Sequence, residues 1–216
     1  MNYNYITNED CLDLLKRDLE YDYVIFGPPD FDEIGLKTDS EGIFLYEQFL
    51  LARMKLLNPK NNVVTIIQRN RKTNGTVLVK DEIMRRLMGT CGYKLKSQKI
   101  WIRSYKANLY RFNQTHIQTF SRGKIFAPRA LSLPDAFYFE VQPIEGYKDN
   151  FPPELVDDFI DVYCPNGGIV MDPFVGSGST CIAALNCDRK YLGAEIVKEV
   201  YDLAQMRIGQ LTSLYQ

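Results

Sequence analysis

Apolar residues in this chain occur either in short unbroken runs or at the three-to-four-residue spacing of a helix. The short runs predict strands buried on both faces, at 23–26, 63–67, 169–171 and 191–194. The helical spacing predicts helices at 12–19, 43–57, 81–88, 153–163, 179–186 and 197–211. Two further segments, 97–104 and 109–120, alternate apolar and polar residues like antiparallel strands. This alternation predicts an α/β fold whose mostly parallel sheet is covered by helices on both faces.

The remaining long stretch, 121–150, carries three prolines and predicts irregular structure. The 216 residues are enough for one domain with a sizeable core. No apolar run is long enough to cross a bilayer, and the N-terminus lacks a signal-peptide pattern, so we expect a cytoplasmic protein. The five cysteines form no Cys-x-x-Cys pair and only one histidine is present, so we expect reduced thiols and no bound metal.

The net charge of −1 conceals a strong separation of charge along the chain. Residues 49–129 hold 18 of the 26 Lys and Arg residues but only two acids, Asp81 and Glu82. Aromatic residues interleave with these cations, and nucleic-acid-binding proteins use cations for phosphates and aromatic faces for unpaired bases. A solvated face of cations over a core of aromatics would give the same pattern. We predict a nucleic-acid-binding stripe of Arg69, Arg71, Lys72, Lys94, Lys96, Lys99, Arg103, Lys106, Arg111, Arg122 and Lys124.

A glycine loop follows the predicted strand at 169–171. It reads Asp172-Pro-Phe-Val-Gly-Ser-Gly178 and leads directly into a predicted helix. Glycines after a strand let a ligand approach the backbone, and the helix start offers free N–H groups. A dinucleotide site would need a third glycine at position 181, where this chain has Cys181, so that alternative is weak.

A second fragment, Gly27-Pro28-Pro29-Asp30-Phe31, follows the predicted strand at 23–26. The two fragments in this order, together with 151–156, 164–168 and 192–195, resemble the amino-group DNA methyltransferases of the circularly permuted branch. That resemblance implies a Rossmann-like fold and transfer of a methyl group from S-adenosylmethionine to adenine N6 or cytosine N4. It also implies a single domain with a catalytic half at 1–120, a short insert at 121–149 and a cofactor half at 150–216.

The resemblance assigns cofactor roles by position. The loop from Asp172 to Gly178 would wrap the methionine part of the cofactor, Glu195 would accept hydrogen bonds from the ribose, and Asp10 would accept from the adenine amine. Glu195 as a solvated strand end and Asp10 as a helix N-cap are the plainer interpretations. The full predicted cofactor set is Asp10, Cys11, Phe151, Pro152, Asp172, Pro173, Phe174, Gly176, Ser177, Gly178, Thr180 and Glu195.

The catalytic fragment departs from the family pattern, which is Asp, Asn or Ser, then Pro-Pro, then an aromatic residue. In that pattern the first side chain accepts a hydrogen bond from the amine of a flipped base, and the aromatic ring stacks on the base. Gly27 has no acceptor, Asp30 replaces the aromatic residue, and Phe31 lies one place late. Either Asp30 and Phe31 supply the missing functions from shifted positions, or the substrate is unusual, or the chain is a degenerate, cofactor-binding partner of another subunit.

The predicted function is therefore an S-adenosylmethionine-dependent DNA methyltransferase, with adenine N6 ahead of cytosine N4. Two alternatives stay open: a catalytically degenerate or partner-dependent protein, and an enzyme acting on RNA or a modified base. Cytosine-C5 methylation is disfavoured because no cysteine nucleophile follows the two prolines. The insert is too short for a separate recognition domain, so we expect relaxed specificity or a partner, either another subunit or a second copy of the chain.

Overall fold

The computed structural model describes residues 3–73, 75–104, 106, 111–124, 133–141, 143–145, 147 and 150–213. These residues form one eight-stranded sheet, a small two-stranded hairpin and six α helices. The strands are β1 (Tyr5–Thr7), β2 (Tyr23–Phe26), β3 (Val63–Gln68), β4 (Arg71–Thr73), β5 (Thr76–Leu78), β6 (Lys94–Ile102), β7 (Gln114–Ser121), β8 (Ala136–Tyr138), β9 (Ile169–Asp172) and β10 (Lys190–Ala194). The helices are α1 (Cys11–Leu15), α2 (Ser40–Met54), α3 (Lys80–Thr90), α4 (Pro153–Tyr163), α5 (Ser179–Asn186) and α6 (Lys198–Ser213).

The sheet has the strand order β1-β10-β9-β2-β3-β7-β6-β8. Only β7 runs against the others, since it pairs antiparallel with both β3 and β6 and every other pairing in the sheet is parallel. The predicted antiparallel pair is therefore present, although residues 109 and 110 of that prediction lie outside the described residues. The stretch predicted to be irregular contributes β8, and the short strand β1 and the hairpin β4–β5 were not predicted.

The central strands are buried on both faces, so their alternate side chains enter two separate cores. On one face, Tyr23 and Ile25 pack with residues of α4, α5 and α6. On the other face, Val24 and Phe26 pack with residues of α1, α2 and α3. Within the described residues no helix is long and apolar enough to cross a membrane.

Strands β2 and β9 are neighbours in the sheet, with Tyr23 opposite Val170 and Val24 opposite Met171. From β2 the chain proceeds to β3 on one side, whereas from β9 it proceeds to β10 on the other side. Such a reversal opens a crevice at the carboxyl ends of the strands, where α/β sheets bind ligands. The two sequence fragments therefore leave the sheet next to each other.

Candidate active site

A cleft of about 590 Å³ opens at the carboxyl edge of the sheet. Its size is within the range of about 300–1,000 Å³ that is typical of small-molecule sites. It brings together residues from both sequence fragments and from the loops after β1, β3 and β10. Among the lining residues are Asp10, Gly27, Pro28, Pro29, Asp30, Arg53, Gln68, Lys80, Trp101, Thr115, Tyr147, Phe151, Phe174, Gly176, Ser179 and Glu195.

The glycine loop wraps one end of this cleft because two of its residues adopt left-handed backbone angles. Gly176 has φ +54° and Gly178 has φ +85°, which L residues with side chains rarely adopt. A Cβ atom on Gly176 would also lie 2.5 Å from the Tyr147 hydroxyl oxygen. Gly178 precedes α5, so the free N–H groups of that helix start beside the cleft.

Asp172 holds the start of this loop from below. Its side chain is only 1% exposed and does not line the cleft. Oδ1 accepts a hydrogen bond from the Phe174 N–H at 2.8 Å. Burial raises the pKa of Asp172 to about 7, and the neighbouring Thr180 and the Phe174 N–H offset this only in part. The role of Asp172 is therefore to shape the loop, not to contact a ligand in the cleft.

Glu195 directly follows β10, and its side chain reaches the glycine loop. Its Oε2 accepts from the Gly176 N–H at 3.0 Å, and its Oε1 accepts from the Val197 N–H at 2.9 Å. Burial raises the pKa of this carboxyl, while the backbone N–H donors lower it in part. Each carboxylate oxygen has a second lone pair, so Glu195 can still accept from a ligand hydroxyl in the cleft.

Asp10 takes the N-cap role considered from the sequence and also lines the cleft. It is the N-cap of α1 and accepts from the Leu12 N–H at 2.8 Å. It also binds Arg53, whose NH2 lies 2.6 Å from Oδ2 and whose guanidinium lies 3.5 Å above the Phe49 ring. Burial would raise the pKa of Asp10, but the Leu12 N–H and Arg53 outweigh it and the pKa is lowered.

The cleft offers the groups that S-adenosylmethionine would need. Glu195 suits a ribose diol, Asp10 an amine, and the N-terminus of α5 a carboxylate. Ser179 Oγ is buried, lines the cleft and has no hydrogen-bond partner within the described residues. Eight of the twelve predicted cofactor residues line the cleft. The other four do not, because Asp172 and Thr180 are buried beneath the loop, Gly178 faces Ala204 of α6, and Pro152 is the buried N-cap of α4.

The catalytic fragment lines the same cleft. A Cβ atom on Gly27 would lie 3.1 Å from Cε1 of Phe151, so the phenyl ring fills the space beside this glycine. The Pro29 carbonyl accepts from the Tyr46 hydroxyl at 2.9 Å, which fixes the loop against α2. Gly27, Pro28, Pro29 and Asp30 all line the cleft.

The prediction that Phe31 contacts a base is wrong in this structure. Its ring is fully buried and stacks on Tyr46 with the ring centres 4.1 Å apart. The short 3-10 helix that begins at Asp32 turns the ring inward, toward the core beneath α2. Phe31 therefore anchors the loop and is not part of the cleft.

The predicted basic stripe is not a single surface beside the cleft. Arg69 and Arg103 line the cleft, and Arg71 and Lys72 lie just beyond β3, near the same edge. In contrast, Lys94 pairs with Ser121 at the opposite edge of the sheet. Arg103 follows Lys94 by nine residue steps along and just past β6, which is about 30 Å.

The predicted nucleic-acid-binding residues therefore do not share one surface, because β6 runs from one edge of the sheet to the other. The residues at the edge far from the cleft are Lys94, Lys96, Arg122 and Lys124. Lys106 and Arg111 are exposed near the cleft edge. Lys99 binds Asp135, with Nζ 2.7 Å from Oδ1.

Several cleft residues were not predicted from the sequence. Arg53 and Lys80 are buried cations, and Gln68 and Thr115 are buried polar residues at the ends of β3 and β7. Lys80 directly precedes Asp81 and Glu82 at a helix start, which gives no sign that its side chain turns inward. Tyr147 comes from the insert and has no distinguishing pattern around it.

Comparison with known proteins agrees with this geometry. The family model N6_N4_Mtase, described as DNA methylase, matches residues 32–206, beginning directly after Phe31. The orphan methyltransferase M.BamHII of Bacillus amyloliquefaciens is 46% identical over 67 residues, which cover 31% of this chain and 25% of that protein. The chain spans about half or less of the length of the curated relatives it matches, at most 56%.

Two solved structures are similar over almost the whole chain. The cytosine-N4-specific PvuII DNA methyltransferase has a TM-score of 0.78 at 17% identity and covers 100% of this chain and 92% of its own. The complex of M1.HpyAVI with SAM has a TM-score of 0.71 at 20% identity and covers 94% and 98%. These likenesses confirm the predicted α/β fold.

Proposed function

The chain belongs to the DNA methylase family, and from that premise we propose that it transfers a methyl group from S-adenosylmethionine to an exocyclic amine of a base in DNA. The proposal rests on the cleft in which the two sequence fragments meet. The glycine loop after β9 and the residues after β2 both line it. A methyl donor held by the glycine loop and a base held by the residues after β2 would lie in the same cleft.

S-adenosylmethionine supplies a methyl group on a positively charged sulfur, which leaves as a neutral thioether. The protein's own contribution is to bind and orient. Glu195 accepts from the ribose, Asp10 with Arg53 bounds the adenine end, and the backbone of Gly176 and Ser177 surrounds the methionine part. The bound complex of M1.HpyAVI, which has the same fold, supports this choice of cofactor.

The amine nitrogen must present its lone pair to the methyl carbon. A new N–C bond forms as the S–C bond breaks, the electron pair stays on sulfur, and the nitrogen then releases one proton. Positioning and electrostatics carry most of such a reaction, because no covalent enzyme intermediate is needed. A base inside a duplex cannot reach the bottom of the cleft, so we propose that it is flipped out of its stack.

Between the two bases, the family resemblance favours adenine N6, although the PvuII enzyme of the same fold is cytosine-N4-specific. The catalytic fragment precedes the glycine loop in the chain, which supports the circularly permuted branch. Within the described residues, the three-residue β8 is the one strand that lies wholly in the insert. We therefore propose relaxed sequence specificity, or a partner chain that supplies it.

The direct test is to incubate the purified chain with S-adenosylmethionine and unmethylated genomic DNA, digest the DNA to nucleosides and analyse them by mass spectrometry. N6-methyl-2′-deoxyadenosine or N4-methyl-2′-deoxycytidine would establish both the reaction and the base. If calorimetry shows cofactor binding but no methylated nucleoside forms, the chain acts with a partner or on another substrate. A parallel assay with RNA as the substrate shows whether the chain methylates RNA or DNA.

A further inference from the structure

The catalytic end of the cleft has a carboxylate in an unusual place. Gly27 lacks the acceptor that such a site needs, and the Phe151 ring occupies the space where its side chain would lie. Asp30, three residues later, lines the same cleft and keeps 31% of its side chain exposed. The described residues therefore offer a negatively charged acceptor close to the position that lacks one.

The contacts of Asp30 are all on one oxygen. Oδ1 accepts from the Lys80 ammonium at 3.0 Å and the Phe31 N–H at 2.8 Å, and it lies 3.2 Å from the Arg71 guanidinium. Oδ2 receives no hydrogen bond from the described part of the chain. One oxygen thus fixes the carboxylate, while the other remains open to a ligand.

Lys80 is the group that holds this arrangement. Its side chain is only 3% exposed, although it is the first residue of α3. A buried ammonium is stable only when it is paired, so Lys80 and Asp30 constrain each other. Burial lowers the pKa of Lys80. For Asp30, burial would raise the pKa, but Lys80 and the Phe31 N–H outweigh it and the pKa is lowered.

We infer that the Asp30 carboxylate is the hydrogen-bond acceptor for the exocyclic amine of the target base, and that Lys80 is the positioning residue that keeps this carboxylate ionised and fixed. The inference rests on the proposed methyl transfer. Oδ2 accepts an N–H of the amine and so directs the nitrogen lone pair at the methyl carbon. After the N–C bond forms, Oδ2 takes the proton from the positively charged nitrogen and passes it to water.

The first test is Asp30→Asn, which preserves shape but removes the charge. We expect kcat for methylation of unmethylated genomic DNA to fall about 100- to 1,000-fold, as for loss of one electrostatic anchor. The Kd for S-adenosylmethionine, measured by calorimetry, should change less than about threefold, since Asp30 is not among the proposed cofactor-binding residues. Asp32→Asn is the matched control, because Asp32 is 71% exposed and also contacts Arg71; it should retain the parent rate.

A second variant keeps the inference testable if Asp30→Asn folds poorly. That substitution leaves the Lys80 ammonium buried without its carboxylate, so Asp30→Asn combined with Lys80→Met removes both charges. We expect this double variant to recover the parent unfolding midpoint while keeping the loss in kcat. Recovery of activity together with stability would overturn the inference, because the pair would then be only structural.

Restoring an acceptor at position 27 provides a gain-of-function test. The backbone angles of Gly27 accept a side chain, and a Cβ atom there requires the Phe151 ring to shift by a few tenths of an ångström. Gly27→Asn in the Asp30→Asn background should raise kcat at least tenfold. A double variant no more active than Asp30→Asn would count against a shared acceptor role.

The pH profile separates positioning from general stability. The charged and titratable groups that face Asp30 are Lys80 from α3, Arg71 from β4, Arg69 after β3, Tyr46 from α2, and Asp32 and Glu33 from its own loop. Without Lys80, burial dominates and the pKa of Asp30 rises. Lys80→Met should therefore lose activity on the acidic side and regain it as the pH rises, whereas Lys80→Arg should keep the parent profile.

These experiments distinguish a failure of the proposed methyl transfer from a failure of the roles assigned to Asp30 and Lys80. If the parent chain alone methylates no DNA, the proposed methyl transfer by this chain is contradicted, and the assignment of Asp30 falls with it. If the parent chain methylates DNA and Asp30→Asn keeps its kcat, the proposed function stands and the assignment of Asp30 and Lys80 is overturned. An unshifted pH profile for Lys80→Met would overturn the role of Lys80.

Discussion

Replacing Asp172 with Asn should make the protein more stable at alkaline pH. The carboxyl group is buried beneath the glycine loop, and burial raises its pKa from 3.8 to about 7. The native state therefore holds this proton at pH values where the unfolded chain has released it. Stability falls as the pH rises from about 4 to about 7, and the loss is complete above that window.

The rise in the pKa of Asp172 sets the size of the change in stability. A rise in pKa from 3.8 to about 7 corresponds to about 4 kcal/mol, of which about 3 kcal/mol falls between pH 5 and pH 8. Asn keeps an oxygen that can accept from the Phe174 N–H, so the loop retains its shape. The variant should therefore gain up to about 3 kcal/mol relative to the parent chain across this range.

Urea unfolding at pH 5, 6, 7 and 8 measures this difference directly. Asp18→Asn, at an exposed position, is the control for loss of one carboxyl group. We compare the free energies of unfolding of Asp172→Asn and the parent chain. A difference that stays constant within about 0.5 kcal/mol from pH 5 to pH 8 would contradict this prediction. It would mean that the buried group has the same protonation state in the native protein at pH 5 and pH 8.

Three further predictions concern the cleft. Arg53→Met leaves Asp10 without its buried cation and should weaken cofactor binding about tenfold, measured by calorimetry, whereas an unchanged Kd would exclude Asp10 from the site. Gly176→Ala places a methyl group at φ +54° and 2.5 Å from a tyrosine hydroxyl, so cofactor affinity should fall by about 1–2 kcal/mol while α5 stays folded by circular dichroism. Arg103→Ala should lower the slope of log K against log salt for DNA by about one. Lys94→Ala, at the far edge, should leave that slope unchanged; equal effects of the two substitutions would restore the idea of a continuous basic stripe.

The parts of this fold that depend on local pattern could be predicted from the sequence. Val63 and Val64 are β-branched and buried in β3. The glycine loop ends directly before the first residue of α5, where the sequence predicts a helix to begin. The burial of Phe31 could not be predicted, because it depends on a 3-10 turn and on Tyr46, fifteen residues away. Its position beside Asp30 in the chain suggested a shared role, which the turn abolishes.

Long-range pairing explains the other differences. Arg53 and Lys80 bind acids 43 and 50 residues away, and neither has a local pattern that indicates a buried cation. Likewise, the charge count identified a basic region but not its distribution, because a strand such as β6 carries its first and last residues to opposite edges. Composition describes which charges are present, whereas topology decides which of them share a surface.

The sheet order has a consequence for how the chain reaches its native state. Strand β1 pairs with β10, so Tyr5 lies beside Leu192, and β2 pairs with β9 across more than a hundred residues. Loops of this length are closed slowly, and proteins rich in such distant contacts fold slowly. During synthesis β2 can pair with β3, but the edge of β2 that pairs with β9 has no partner until residue 172 has left the ribosome. We expect nascent chains truncated before β9 to bind chaperones or aggregate, because both ends of the cleft become ordered only with the last quarter of the chain.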